Sequence, residues 1–276
     1  MRTHFSRGVV ALTLVGVACA RATTTGTTTT TTAQPATQPQ TTTTTTISSS
    51  LPAGRALIDR YVQVVGGREA VTRHNTIRSV GMFEMPAAGM KGEFTLVQVA
   101  PNKMAMTMNL PGMGQMWTGF DGTTGWSVNP MQGPRVLEGR ELDQLRDESG
   151  PGAMLRAADR VRSAETVELT TLGGQQCYKV KITYHSGRES FDCYSPETGL
   201  LVGMIQRQES PMGSVEITTL VSDWKEFGGL KVPTRLRAQM MGQEMVQTID
   251  RVEFDRPEDV KAVEMPKQVK PLVKKP

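Results

Sequence analysis

From Ile77 to Phe254 apolar and polar residues alternate in short runs, and Gly- or Pro-containing turns interrupt the alternation at close intervals. The pattern is clearest between Cys177 and Asp255. Tyr178, Val180, Ile182 and Tyr184 share one face, then His185-Ser186-Gly187-Arg188 turns the chain towards Phe191 and Cys193. Ser195-Pro196-Glu197-Thr198-Gly199 opens a run through Leu200, Val202, Met204 and Ile205 that turns at Ser210-Pro211-Met212-Gly213. Val215 to Trp224 meets Phe227-Gly228-Gly229 and Leu230-Lys231-Val232-Pro233, and a last pair, Arg235 to Met240 and Met245 to Phe254, turns around Met241-Gly242-Gln243-Glu244. Two-residue periodicity broken by such turns predicts successive hairpins of a curved antiparallel sheet.

The earlier part of the chain extends the same sheet. Leu51 to Val65 has a helical stripe of Leu57, Tyr61, Val64 and Val65 and is stopped by Gly66-Gly67, with Arg68 to His74 adding one more turn. Strands are then predicted at Ile77–Met85, Gly92–Ala100, Lys103–Leu110, Gln115–Phe120 and Gly125–Val128, with a tight turn at Asp121-Gly122-Thr123-Thr124 and a loop from Asn129 to Pro134. Glu138 to Arg146 reads as a polar helix broken at Gly150-Pro151-Gly152, and Ala153 to Arg160 as a second, weaker one, before the sheet resumes near Val167.

Two segments stand apart from this globular pattern. Arg2 and Arg7, the apolar run Gly8 to Val17 and the small residues after it form a processing signal over residues 1–20. Ala18-Cys19-Ala20 fits cleavage by an ordinary secretory peptidase, whereas Val15-Gly16-Val17-Ala18-Cys19 is similar to a bacterial lipoprotein signal that would lipidate Cys19. Residues 21–50 form a linker of Thr, Gln, Pro and Ser, too polar to bury a core and suited to a tether behind an acylated Cys19. Residues 51–265 then form one domain and 266–276 a basic tail. The lysines at 261, 267, 270, 274 and 275 are expected in solvent.

Charge and cysteines narrow the function classes. Residues 1–18 hold two basic and no acidic side chains, so removing them lowers the net charge from +4 to +2, and nothing electrostatic argues for nucleic acid. In an oxidising compartment Cys177 and Cys193 form an even pair on two arms of one hairpin. A three-residue loop would make them diagonal neighbours on one face, and a two- or four-residue loop would put them on opposite faces; a disulfide and two free thiols are both compatible with the sequence.

The order of these signatures resembles the outer-membrane lipoprotein-sorting superfamily, the LolA/LolB-like carriers. The resemblance is carried by Leu57-Ile58-Asp59-Arg60-Tyr61 with Val64 to Ala70, by Phe120 to Trp126, by Tyr194 to Leu201 and by Phe227 to Pro233. It implies an α+β, mainly β fold: an unclosed, strongly curved antiparallel half-barrel with a few helices covering the concave face and an apolar cavity for acyl chains.

The sequence holds no catalytic constellation. H-E-x-x-H, C-x-x-C, G-x-S-x-G and P-loop patterns are absent, Ser222-Asp223-Trp224-Lys225 falls where a strand meets a turn, and Asp121-Gly122-Thr123 is explained by its hairpin turn. His74 and His185 are expected as solvated side chains. The informative feature is the 17 methionines. Met104, Met106 and Met108 alternate along one strand face, and flexible thioethers suit a surface that repacks around variable apolar partners. Met82, Met104, Met106, Met108, Met116, Trp126, Met204 and Met240 are the expected cavity residues, with Trp126 a candidate for its mouth.

The expected function is therefore a non-enzymatic cell-envelope protein that holds a hydrophobic small molecule, acyl chain or lipoprotein. It needs no cofactor and no metal, is a monomer, and resides in the periplasm or on the periplasmic face of the outer membrane, attached through a lipid anchor if Cys19 is acylated. A copper-handling protein using the Met-rich face, or a structural protein with a filled interior, are the alternatives.

Overall fold

The computed structural model describes residues 51–273 apart from 211, 212 and 241; the signal segment, Cys19, the linker and the end of the tail lie outside the described residues. The domain begins with α1 (Gly54–Val64) and α2 (Gly67–Thr72). In α1 the periodic residues Leu57, Ile58, Tyr61 and Val62 are buried. Gly66 separates the helices at φ 121°, and a Cβ there would lie 2.3 Å from the Gly229 carbonyl oxygen, so this junction requires glycine on two counts. The Val65 carbonyl accepts a bond of 2.9 Å from the Lys231 N–H, which ties the helix end to the Phe227–Leu230 turn.

The strands are β1 (Thr76–Met85), β2 (Met90–Val99), β3 (Lys103–Leu110), β4 (Gly114–Phe120), β5 (Gly125–Asn129) and β6 (Gly133–Leu137). Helix α3 (Gly139–Glu148) and a 3-10 turn at Pro151–Leu155 follow, then β7 (Val161–Leu172), β8 (Gln175–Tyr184), β9 (Glu189–Tyr194), β10 (Leu201–Ser210), β11 (Gly213–Phe227), β12 (Leu230–Met240) and β13 (Gln243–Phe254); α4 (Asp259–Ala262) and a 3-10 turn at Lys270–Leu272 come after the sheet. They make one 13-stranded sheet in the order β6-β5-β4-β3-β2-β1-β13-β12-β11-β10-β9-β8-β7. The chain starts in the middle, walks out to β6, crosses to β7 and walks back until β13 pairs antiparallel with β1, with a bulge between Val80 and Gly81. β6 and β7 are not paired with each other, so the sheet is an unclosed antiparallel half-barrel with few helices, as the resemblance implied.

One face, the inner one, carries the main core. Leu57, Ile58, Tyr61, Val65 and Val71 of the two helices pack there against Val180, Ile182, Tyr184, Tyr194, Val221 and Leu230. On the outer face Val263 packs against Val97, Val99 and Ala105, so the segment after β13 runs back along the sheet. The tail divides by residue type: Pro266 and Val269 are buried while Lys267 and Lys270 are exposed.

The crossover departs most from the sequence reading. β6 forms where only a loop ending at Pro134 is predicted, because the short run Pro134–Leu137 pairs with β5. The predicted helix at Ala153–Arg160 is a 3-10 turn that ends at Arg156 in a left-handed conformation, φ 46°, and β7 begins at Val161 rather than near Val167. Pro151 starts the turn, and the left-handed residue stops it from propagating.

Candidate functional site

Cross-strand register places the methionines. Met104, Met106 and Met108 of β3 stand opposite Phe120, Thr118 and Met116 of β4 and opposite Gln98, Leu96 and Phe94 of β2. All of these belong to the inner face, because the register of β1, β2 and β13 carries the same face from Ile77, Phe83 and Ile249. Above them lies α3, which touches β4 and β5 on one limb of the sheet and β10 on the other.

Beneath α3 is a cavity of about 360 Å³. Its sheet wall is built from Leu96, Met104, Met106 and Leu137, and Leu145 closes it from the helix. Gln98, Thr118, Ser127 and Arg135 share that sheet face, and Glu141, Gln144 and Glu148 of α3 with Gln208 and Glu209 of β10 complete the lining. Arg135 donates two bonds of 2.7 Å to Glu141. The Gln144 amide donates to Glu148 at 3.4 Å and to Gln208 at 3.3 Å, while its oxygen accepts from the Glu209 N–H at 3.2 Å, so α3 is joined to β10 across the cavity.

The crossover is held in place by a buried ionic cluster. Arg188 is 9% exposed, lies 4.2 Å above the Tyr184 ring centroid, and pairs with Asp147 at 3.2 Å and Glu148 at 3.1 Å of α3. Arg156 pairs with Asp192 at 3.0 Å, and Asp192 also accepts from the Tyr194 hydroxyl at 2.9 Å. Burial pushes the Glu148 carboxyl above the usual carboxylate value against the opposing pull of Arg188, and burial likewise pushes the Tyr184 and Tyr194 hydroxyls up. These groups are engaged with one another and make a clamp that seats α3 over the inner face.

Of the eight expected cavity residues, the structure brings Met104 and Met106 to the cavity. Met108 and Met116 face the same way but belong to the next cluster along, with Phe83, Phe94, Leu110, Met85, Met90 and Met245. Met204 packs against the core beneath α1, and Met240 stands opposite Ile217 and Gln243 near the far end of its hairpin. Met82 points outward, since its neighbour Phe83 points in and β1 is regular against β2 there. Trp126 is also on the outer face: it pairs with Gly119, and a Cβ on Gly119 would lie 2.4 Å from the indole. It is fully buried, so it forms no mouth to the inner cavity. The polar lining residues of α3 and β10 were not legible as a site, because they come from opposite limbs of the sheet and carry no motif.

The remaining candidates are accounted for locally. The Cys177–Cys193 hairpin has the three-residue loop His185-Ser186-Gly187, shown by the Tyr184 N–H to Arg188 carbonyl bond of 2.9 Å. The cysteines are accordingly diagonal on one face, both fully buried and free, packed with Val202 and Leu172. His74 is not solvated: its Nδ1 lies 2.7 Å from Asp255 and its ring stacks on Phe254 at 4.1 Å. His185 is exposed, with Nε2 2.9 Å from the Ala158 carbonyl. Ser222 and Lys225 both lie within β11, not on a helix. Asp121 accepts from the Thr123 and Thr124 N–H groups at 2.9 and 2.8 Å, as an Asp-Gly turn requires.

A second cleft, about 450 Å³, lies beside the Ser186–Glu189 turn, α3 and β10. Apart from Phe191 and Ile205 it is walled mainly by charged and polar side chains such as Arg140, Asp143, Arg188 and Arg207. The cavity under α3 is the more apolar of the two, through Leu96, Met104, Met106, Leu137 and Leu145.

No family model and no curated protein matches the sequence. Among solved structures, a LolA superfamily protein from Nitrosomonas europaea is similar over 76% of this chain and 97% of its own, with 12% identity and a TM-score of 0.50. A DUF1329 family protein from Desulfovibrio piger is matched over 78% of this chain and 98% of its own at 13% identity and a TM-score of 0.49. The first likeness shows that the domain has the LolA-superfamily fold.

Proposed function

We propose that this protein is a non-enzymatic carrier or reservoir of the cell envelope that holds an acyl chain, alone or as part of a lipoprotein, in the cavity beneath α3. The observation that carries this reading is the wall of Leu96, Met104, Met106 and Leu137 facing Leu145 across a cavity of about 360 Å³. That volume falls within the range of about 300–1,000 Å³ usual for small-molecule sites. Unbranched thioether side chains let such a wall fit chains of differing length and unsaturation, and burial stabilises the ligand by roughly 0.8 kcal/mol for each methylene.

Export and anchoring complete the proposal. Residues 1–20 direct secretion, an acylated Cys19 holds the chain to a membrane, and residues 21–50 tether a binding domain that starts at residue 51.

The test is native mass spectrometry of the full chain purified without detergent, followed by organic extraction. Co-purified lipid that an added fatty-acyl analogue displaces is the expected result. A ligand-free mass with no uptake of offered lipids would sink the proposal.

A further inference from the structure

Methionines that the cavity does not use line up on the same face where β1 turns into β2 and β12 into β13. The register sets Met85 of β1 directly opposite Met90 of β2. The β1–β13 pairing, with Glu84 opposite Val246, brings Met245 beside Met85 on its other flank. Three thioethers thus lie in one row across three adjacent strands, all half-buried and packed in the cluster of Phe83, Phe94 and Leu110. Cβ atoms directly opposite in such a row are about 4.5–5.5 Å apart, and a methionine sulfur stands two bonds beyond its Cβ, so the three sulfurs can reach one point. Met104, Met106 and Met108 cannot. Residues two apart along one strand are separated by about 6.8 Å, and these three divide between two clusters. The row itself is uncharged. Glu84 and Lys91, next to Met85 and Met90, pair with each other at 2.7 Å, and Glu244, next to Met245, pairs with Arg237 at 3.0 Å; alternation directs all four to the outer face.

From this row we infer that the protein has a second binding function: capture of a soft monovalent metal ion, Cu(I), by the thioethers of Met85, Met90 and Met245. Thioethers are neutral, polarisable donors that select Cu(I) over harder divalent ions, which carboxylate, imidazole and water serve better. A monocation also loses less hydration than a dication on entering a half-buried apolar site, because the desolvation cost rises with the square of the charge. A core that needed volume alone would be filled by leucine, with better-defined rotamers, so three methionines in register favour sulfur over carbon. The copper alternative raised by the sequence thereby moves from the β3 methionines to this row. It stands beside the lipid reading and does not rest on it, since the row and the cavity beneath α3 share no residue.

The experiment titrates the full-length protein with Cu(I), kept reduced by ascorbate, in competition with the chromogenic chelator bicinchoninate. Withdrawal of one Cu(I) per chain from the chelator is the expected result. Met85→Leu conserves side-chain volume and so the packing, and is expected to weaken binding by at least about tenfold. The triple change Met85→Leu, Met90→Leu, Met245→Leu is expected to abolish it while leaving uptake of the neutral fluorophore N-phenyl-1-naphthylamine unchanged. Met82→Leu, on the opposite face, is expected to stay within about twofold of wild type. A chelator left fully loaded by the wild type would overturn the inference. So would Cu(I) retained by the triple variant, through Cys177, Cys193 or other donors, or an equal loss in Met82→Leu. If the triple variant loses fluorophore uptake as well, the single change decides, and a Met85→Leu protein that holds Cu(I) as tightly as wild type overturns the inference.

Discussion

Arg78 on the outer face of β1 holds the carboxylate of Asp259, which is completely buried at the start of α4; Nε lies 2.8 Å from Oδ1, and the Thr76 hydroxyl donates to Oδ2 at 3.1 Å. This pair fixes the segment that places Val263 against Val97, Val99 and Ala105. Removing one partner leaves a buried charge or hydroxyl without its mate, so Asp259→Ala is expected to lower stability by about 3–5 kcal/mol in urea denaturation. The double variant Arg78→Met, Asp259→Leu is expected to lose less than either single change, because no orphaned charge remains. A loss below about 1 kcal/mol for Asp259→Ala would show that the segment is held by apolar packing alone.

Asp255 closes the other side of the same sheet end. One oxygen lies 2.7 Å from the His74 ring and the other accepts from the Asn75 and Thr76 N–H groups at 2.7 and 3.2 Å. The His74 bond, then the two backbone bonds, hold its carboxyl below the ordinary value of 3.8. A carboxyl depressed on folding contributes stability above its unfolded value, and that contribution is lost as the pH falls through the folded value. Asp255→Asn is therefore expected to be less stable than wild type at about pH 7, with the two curves converging as the pH falls through the depressed folded value of the Asp255 carboxyl. Denaturant midpoints across that range check it, and curves that stay parallel would exclude Asp255 as a source of acid sensitivity.

What the sequence made legible were the features that depend on local chemistry. Period-two alternation and Asp-Gly or Gly-Gly turns located most strands, and the glycines at 66 and 67 marked the end of α1 where the structure needs them. The face of Met104 and Met106 could be read because alternation alone decides it. Met82 and Trp126 could not be assigned the same way: each sits in a strand whose inward face is known only once its neighbours are paired, and both prove to point outward. β6 was hidden because its five residues include Gly133 and Pro134, poor strand formers that pair here at an open edge. The polar lining was hidden for a different reason. Gln144 and Gln208 are 64 positions apart and meet only because α3 spans the two limbs of the sheet, a relation set by the crossover and not by any local pattern.

The outward Met82 supplies a control for the cavity itself. Met106 is half-buried, stands opposite Thr118 and Leu96, and lines the cavity, so Met106→Trp places an indole in the volume that an acyl chain would occupy. Overpacking of a filled core costs about 1–3 kcal/mol, but here the added atoms enter existing space and the loss of stability is expected at or below the lower end of that range. Uptake of N-phenyl-1-naphthylamine is expected to weaken by at least about tenfold, which corresponds to the loss of roughly two buried methylenes. Met82→Trp makes the same change of residue on the opposite face of the sheet and is expected to leave uptake within about twofold of wild type. Equal losses in both variants would point to a general effect on the fold, whereas an unimpaired Met106→Trp would place the apolar ligand somewhere other than beneath α3.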